Sequence, residues 1–313
     1  MASRFLRELT LRQLRALAAV QKHRSVTAAG KQLHLTQPAV TLQLRNLQAL
    51  TGLPLIQRTS NGMLLTDAGR EVLALIERIE AAIASCETSL DMIAGKTGGR
   101  ISIGAVSTAK YFVPFAISGF SRLYPNVDVT LFIGNRQEIG TALRGYDIDI
   151  AIMGRPPVDI PMNVHLIGDH PHVVIAPTTH HLARKSRLAL ADLANETFLT
   201  REPGSGTRGL MEQLLESAHV RPKIGMAMSS NETIKQAVIA GLGIAFISAH
   251  TVATELDERR LVTLDVDGLP VVRQWFVLSR KDKVLLPPAQ AMFDFLGSEG
   301  ANYLPEVPGF GER

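Results

Sequence analysis

The 313-residue chain has a single cysteine, so Cys86 cannot close an internal disulfide, and no Cys/His cluster has zinc-site spacing. Cys86 reads as a small apolar residue on a helix rather than as a redox group. Long apolar runs are also missing. The longest, such as Ile244 to Ile247, fall far short of the roughly 20 residues that span a bilayer, and Met1 to Thr10 is charged rather than signal-like. A soluble, cytoplasmic protein is expected, and the length points to two or three domains with a sizeable core.

Acidic residues are scarce at one end of the chain. Residues 1 to 66 carry nine lysines and arginines against Glu8 alone, a net of +8, whereas the remainder has 24 bases and 28 acids, a net of −4. Concentrated basic charge is the footprint of a nucleic-acid binder, because each neutralised phosphate releases condensed counterions. On charge alone a solvated basic face fits as well, and the periodicity has to decide.

Leu11, Leu14, Leu17, Ala18 and Val20 recur at three- and four-residue steps, predicting an amphipathic helix over Leu11 to His23. Ser25 caps a second helix, Val26 to Leu33, in which Ala28 and Ala29 allow close approach. Thr36 caps a third, with Pro38 in its first turn and Val40, Leu44, Leu47 and Leu50 as its buried face. That leaves Gln37, Ala39, Thr41, Gln43 and Arg45 toward the front. Glutamine pairs with adenine, arginine with guanine or phosphate, and small apolar groups with the thymine methyl, so the array suits the major groove. Leu55 to Arg58 and Met63 to Leu65 flank Ser60-Asn61-Gly62, a hairpin signal, which places Arg58 and Asn61 near the minor groove or backbone as candidate positioning contacts. The candidate DNA-contacting set is therefore Ser25, Thr36, Gln37, Pro38, Ala39, Thr41, Gln43, Arg45, Arg58 and Asn61.

Several of these stretches resemble the LysR-type transcriptional regulators. They are Leu11-Arg12-Gln13-Leu14, Ser25 to Ala29, Leu35 to Thr41 and Leu65 to Gly69. The resemblance implies a winged helix-turn-helix, a long dimerising helix, a two-lobed effector domain, and a homotetramer working with RNA polymerase on promoter DNA.

From Thr66 onward, Val72, Leu75, Ile76, Ile79, Ile83, Leu90 and Ile93 form one helical seam ending before Gly95. An isolated helix cannot bury such a seam, so pairing with a second chain is expected, with packing on its own domain as the alternative. Gly95-Lys96-Thr97 imitates a P-loop, but the glycine that motif needs five positions earlier is Leu90. A flexible joint is the better reading.

Beyond it, strands over Arg100 to Ser107, Val127 to Ile133 and Asp147 to Met153 alternate with helices over Tyr111 to Leu123 and Glu138 to Leu143. This predicts a parallel α/β sheet with ligands at the strands' carboxyl ends. A second lobe repeats the pattern with Val173 to Ala176, Glu196 to Thr200 and the helix Thr207 to His219, and Val271 to Leu278 returns to the first. The predicted fold class is thus α/β with an all-α-type winged helix-turn-helix at the N-terminus, a long linker helix, and an effector domain of two lobes like a periplasmic binding protein. The predicted boundaries are 1–66, 67–95 and 96–313, with lobe I near 100–170 and 272–300 and lobe II near 171–271.

Glu202 to Arg208 and Ser229 to Lys235 each open a helix, whose amides and dipole favour an anion. With the strand-end loops they give the candidate effector contacts: Ser107, Thr108, Lys110, Asn135, Arg136, Arg155, Glu202, Ser205, Gly206, Thr207, Arg208, Asn231, Glu232 and Thr233. The basic members suit a phosphate or carboxylate. Thr108 to Phe112, Gly134 to Arg136, Met153 to Pro157, His170 to Val173, Arg201 to Arg208 and Ser230 to Ala237 also resemble the regulators of RuBisCO (carbon-fixation) operons. That subgroup implies an activator sensing ribulose bisphosphate, phosphoenolpyruvate or NADPH, with no cofactor required.

Enzyme readings fare worse. Gly204-Ser205-Gly206 lacks the leading glycine of a nucleophile elbow, which would fall on Pro203. Gly241-Leu242-Gly243 lacks the third glycine of a dinucleotide fingerprint, having Phe246 there. His165, His170, His172, His180 and His181 match no common metal-ligand spacing, so neither catalysis nor a metal is expected. A solute-binding protein would explain the C-terminal part but leaves the basic N-terminus without a role.

Overall fold

The computed structural model describes residues 4–60, 62–94 and 98–308. The chain divides into two compact units, residues 1–87 and 88–313.

The first unit comprises α1 (Arg4–Glu8), α2 (Leu11–His23), α3 (Val26–Leu33), α4 (Gln37–Thr51), a hairpin of β1 (Ile56–Thr59) and β2 (Gly62–Leu65), and the start of α5 (Asp67–Ile93). Helices α2, α3 and α4 each begin where a side chain satisfies a free backbone donor. Thr10 and Gln13 form a reciprocal capping box on α2, Ser25 accepts from the Ala28 amide, and Thr36 accepts from the Ala39 amide. The turn between α3 and α4 is closed by a Leu35 amide to Gly30 carbonyl bond of 2.9 Å. A Cβ on Gly30 would stand 2.7 Å from the Leu35 carbonyl oxygen, so the close crossing requires glycine. Leu14, Leu17, Val20, Val40, Leu44 and Leu47 share one core, each contributing about 1.5–3 kcal/mol on burial. Leu50, expected inside, is only half-buried, and Leu11 is 37% exposed at the edge of its stripe.

That core also contains Leu55, Leu65, Val72 and Ile76. The first turns of α5 thus complete the core of the first unit, and the predicted boundary at Thr66 cuts across its packing. Thr66 caps α5 by accepting from the Gly69 amide at 3.1 Å. Farther along, Ile83, Leu90 and Ile93 stand exposed. The predicted joint Gly95 to Thr97 lies outside the described residues.

The second unit runs β3 (Arg100–Val106), α6 (Val113–Leu123), β4 (Asp128–Gly134), α7 (Arg136–Arg144), β5 (Ile150–Met153), β6 (Met162–Pro177), β7 (Thr197–Arg201), α8 (Gly206–Ser217), β8 (Lys223–Met228), α9 (Asn231–Ile239), β9 (Ile244–Ser248), α10 (Ala253–Asp257), β10 (Leu261–Thr263), β11 (Val271–Arg280) and α11 (Pro287–Glu299). Its sheet has the order β4-β3-β5-β11-β6-β9-β7-β8, with β10 also on β6. The β3–β4, β3–β5, β7–β8 and β7–β9 pairs are parallel, as expected of α/β units. The sheet as a whole is mixed, because β6 and β11 run antiparallel to each other and to their other neighbours.

These two strands join the lobes. One core, around Ile101, Phe120, Ile152 and Trp275, ends on β6 at Ile167. Two more begin at Val173, on opposite faces of the sheet: Val173, Ile175, Leu199 and Ile247 on one, Val174, Ala176, Phe198 and Phe246 on the other. The alternation is the two-residue period of a strand covered on both sides. β6 is far longer than the predicted Val173 to Ala176, because its first part crosses from the other lobe, where Gly168, Asp169 and Pro171 interrupt the apolar pattern. Tyr111, read as helical, ends a short 3-10 turn, and Pro114 opens α6.

Candidate functional site

In the first unit, α4 carries the predicted reader residues. Gln37, Pro38 and Arg45 are exposed, and Ala39, Thr41 and Gln43 are half-buried. Ser25 and Thr36 spend their hydroxyls on the caps of α3 and α4, so they orient the helices. Thr41 donates its hydroxyl to the Gln37 carbonyl at 2.9 Å, and the Gln37 side-chain oxygen accepts from Thr27 at 3.3 Å. Those contacts hold Gln37 upright at the start of the helix, the end that enters a groove in helix-turn-helix readers. β1 and β2 pair from Ile56↔Leu65 to Thr59↔Gly62, and Arg58 is exposed on β1. The Met63 amide donates to the Arg24 carbonyl at 3.0 Å, fixing the wing to the end of α2. Asn61 lies outside the described residues.

In the second unit a cavity of about 330 Å³ opens between the lobes. Lobe I contributes the ends of β3, β4 and β5 with Ser107, Thr108, Asn135, Arg136, Gly154 and Arg155; lobe II contributes Arg201, Gly204 and the first turn of α8. The ligand position at the carboxyl ends of parallel strands follows from the topology. Asn135 caps α7, accepting from the Glu138 amide at 3.0 Å, and Ser205 caps α8. Two helix N-termini therefore border one space, and Arg136, Arg155 and Arg273 line it with exposed side chains.

Of the fourteen predicted contacts, the cavity brings together Ser107, Thr108, Asn135, Arg136, Arg155, Ser205, Gly206 and Thr207. The other six serve elsewhere. Arg208 turns back to Glu212 at 2.7 Å and to the Arg201 carbonyl at 3.3 Å. Glu202 and Asn231 hold Arg201. Thr233 is exposed on α9 and donates its amide to the Ser230 cap. Lys110 and Glu232 form a bridge across the lobes beside the cavity, where Tyr111 also donates to Glu232. Lys235, almost fully buried, joins it through Glu232 at 3.0 Å and Glu255 at 2.8 Å. Burial, then the Glu232 carboxylate, raises the Tyr111 phenol well above its ordinary value, so it remains a donor. Burial pushes Glu232 up, but the Tyr111 and Lys235 hydrogen bonds outweigh it and hold the carboxyl low.

Sequence reasoning missed Arg201, His170, His172 and Arg273, all in the lining. Arg201 is 2% exposed, forks onto Glu202 at 2.8 and 3.0 Å, and reaches Asn231 at 2.5 Å in lobe II and Ser107 at 2.9 Å in lobe I. Arg201 opens a stretch that resembles the RuBisCO-operon regulators, but reading β7 to Thr200 stops one residue short of it and leaves it out of the candidate contacts. His170, His172 and Arg273 sit on the crossing strands, facing one another through the registers Arg273↔His170 and Val271↔His172. Burial first, then neighbouring histidines, depresses His170 well below the ordinary histidine value. Burial likewise takes His172 and His250 down to about 4.

His180 and His181, which spacing alone left unpaired, converge on the two oxygens of Glu196 at 3.3 and 3.1 Å. His180 Nδ1 accepts from the Leu182 amide, so in the neutral ring the hydrogen sits on the nitrogen that faces Glu196. No described helix is long and apolar enough to cross a membrane.

Residues 11–70 match the bacterial regulatory helix-turn-helix of the lysR family, and residues 94–301 match the LysR substrate binding domain. The HTH-type transcriptional regulator CbbR of Xanthobacter flavus is 48% identical over 302 residues, spanning 96% of this chain and 91% of that protein. The RuBisCO operon transcriptional regulator of Allochromatium vinosum is 41% identical, over 94% of this chain and 97% of its own. Among solved structures, the Synechocystis CcmR regulatory domain in complex with 2-PG has a TM-score of 0.61 and 35% identity, covering 63% of this chain and 95% of that one. Full-length CbnR complexed with its target DNA has the same fold, with a TM-score of 0.62 at 23% identity over 92% of this chain and 98% of its own. With a winged reader that packs as one core with the linker helix, and a two-lobed domain around a polar cavity, the chain belongs to the LysR family of transcriptional regulators.

Proposed function

We propose that this regulator binds promoter DNA of a carbon-fixation operon through α4 and the wing, and that a compact anionic metabolite in the interlobe cavity sets its output. The observation that carries the ligand class is the convergence of Arg136, Arg155 and Arg273 with the N-termini of α7 and α8 on one cavity. The operon assignment is supported by the CbbR and RuBisCO-operon relatives. The CcmR neighbour was solved with 2-PG. A volume of about 330 Å³ is at the low end of ligand sites, which span about 300–1,000 Å³. Ribulose bisphosphate or phosphoenolpyruvate is therefore favoured over the larger NADPH.

The exposed seam of Ile83, Leu90 and Ile93 would pair α5 with a second copy, and two such dimers would form the tetramer. A two-fold pair of readers addresses half-sites about 34 Å apart. The regulator would work in the cytoplasm, with RNA polymerase as its downstream partner. Footprinting at fixed salt on the DNA upstream of its own gene and on a carbon-fixation promoter tests the reading, with each of the three metabolites added in turn. A protected two-fold site that changes with ribulose bisphosphate or phosphoenolpyruvate is expected. Protection insensitive to all three removes the effector assignment, and no sequence-specific protection on either DNA removes the operon.

A further inference from the structure

The rear wall of the cavity is formed by β6 and β11, the strands that join the lobes and act as their hinge. There the His170 ring lies flat on Trp275, with centroids 3.8 Å apart and planes at 17°. Trp275 is anchored in the lobe I core against Phe112 at 5.2 Å and donates its indole hydrogen to His250 of lobe II at 3.1 Å. Two of the three imidazoles have their protons assigned by these neighbours. Trp275 only donates, so His250 Nδ1 is bare; the His170 carbonyl only accepts, so His172 Nδ1, 3.1 Å away, carries a hydrogen. His170 differs. Its residue is 4% exposed, and both ring nitrogens are buried without any hydrogen-bond partner, although the ring lines the cavity. A buried polar group with no partner is rare and calls for an explanation.

We propose that His170 is a ligand-contacting residue whose imidazole takes up a proton when an oxyanion occupies the cavity, so that effector binding at the hinge is proton-coupled. The proposal rests on the anionic-effector reading and adds which group answers the charge. The charged and titratable groups around His170 explain why it waits for one. His172 stands 4.2 Å away on its own strand, and His250 stands 6.0 Å away in lobe II. Arg273 is its register partner on β11, and Arg155 and Arg201 share the lining. Of the carboxylates in this region, Asp169 acts on His250 and Glu202 is engaged by Arg201. Burial and the two neighbouring imidazoles disfavour an imidazolium at His170, and no carboxylate among the described residues offsets them there. A bound dianion supplies the missing negative charge. The arginines cannot change protonation in the physiological range, so the imidazole is the group that does. Gly154 keeps access open: a Cβ there would stand 3.1 Å from His170 Nδ1, and Gly154 itself faces the cavity.

Sulfate is the suitable probe, because it does not itself titrate between pH 6 and 8. Calorimetry of the full chain in two buffers of different ionisation enthalpy counts protons taken up, and an Arg155→Gln variant subtracts sulfate bound outside the cavity. Proton uptake at pH 6 that vanishes by pH 8 is expected. Affinity should be about fourfold tighter at pH 6 if the bound imidazole regains a value near 6.5. His170→Phe keeps the stacking on Trp275 and should bind sulfate with no uptake and a flat pH profile. Binding without uptake in the wild-type protein, or uptake that persists in His170→Phe, overturns the coupling and leaves the anion site standing. Absence of any sulfate binding sensitive to Arg155→Gln overturns the anion site as well.

Discussion

Replacing Arg201 should loosen the effector unit more than replacing any other arginine of the cavity. Its guanidinium makes two bonds to Glu202, one to Asn231 and one to Ser107, and so ties the end of β7 to the end of β3 in the other lobe. Removing one member of a buried pair costs about 3–5 kcal/mol, because the survivor is left desolvated. The Glu202 side chain is 19% exposed and regains some water, whereas Asn231 is 1% exposed and does not. We therefore place Arg201→Met near the low end, at about 3 kcal/mol. Arg201→Lys retains the charge but loses the planar fork, and should still cost about 2 kcal/mol. Arg273→Met, at an exposed cavity arginine, is the control and should stay within about 0.5 kcal/mol. Urea midpoints followed by circular dichroism, compared at equal slope, measure all three. A lysine variant as stable as wild type, or an Arg273 variant as costly as Arg201→Met, would refute the interlobe role.

On α4, Gln37→Ala and Arg45→Ala should each weaken specific binding by about 1–3 kcal/mol if a bidentate base contact is lost, and base preference should relax at one position. Binding titrations against operator variants at fixed salt check this, and unchanged affinity and preference in both would remove them from the readout. Arg58→Ala on the wing should weaken binding to all sequences alike and reduce the salt slope by about 1 per protomer, as read from affinities across a salt series. Asp282 is held down to about 2 by its hydrogen bond from Arg280, against an ordinary 3.8. With the folded value below the unfolded one, its stabilisation is complete above about pH 4 and is lost as pH falls toward 2. Asp282→Asn should therefore be less stable than wild type near neutrality and converge with it below pH 2 in acid-unfolding curves.

How much of this was legible in the sequence differs between the two units for a physical reason. The reader is built from local rules: Thr10, Ser25 and Thr36 cap the helices that follow them, Val40 and Leu44 mark the inward face, and Gly62 ends the hairpin turn. Each of these signals is complete within a few residues, so the helices from Leu11 to Leu33 emerge with their observed bounds. The cavity is assembled differently. Its strand-end loops announce themselves because a parallel strand must end in one, which is how Ser107, Asn135, Arg136 and Arg155 could be named. Lys110, Glu232 and Arg208 belong to the same loops, yet their charges find partners beside the cavity, and which charge is paired depends on residues more than 100 positions away in the case of Lys110 and Glu232. The hinge is the least legible part. His170 and Arg273 meet through the register of two strands separated by a whole lobe, and polar residues at the crossover conceal the strand period that would have revealed it. The residues that neither local propensity nor a loop motif explains are the ones placed between the lobes. If an anion occupies the cavity as we propose, it meets the strands that connect the lobes at the buried histidines, which would relate its binding to the geometry of those strands.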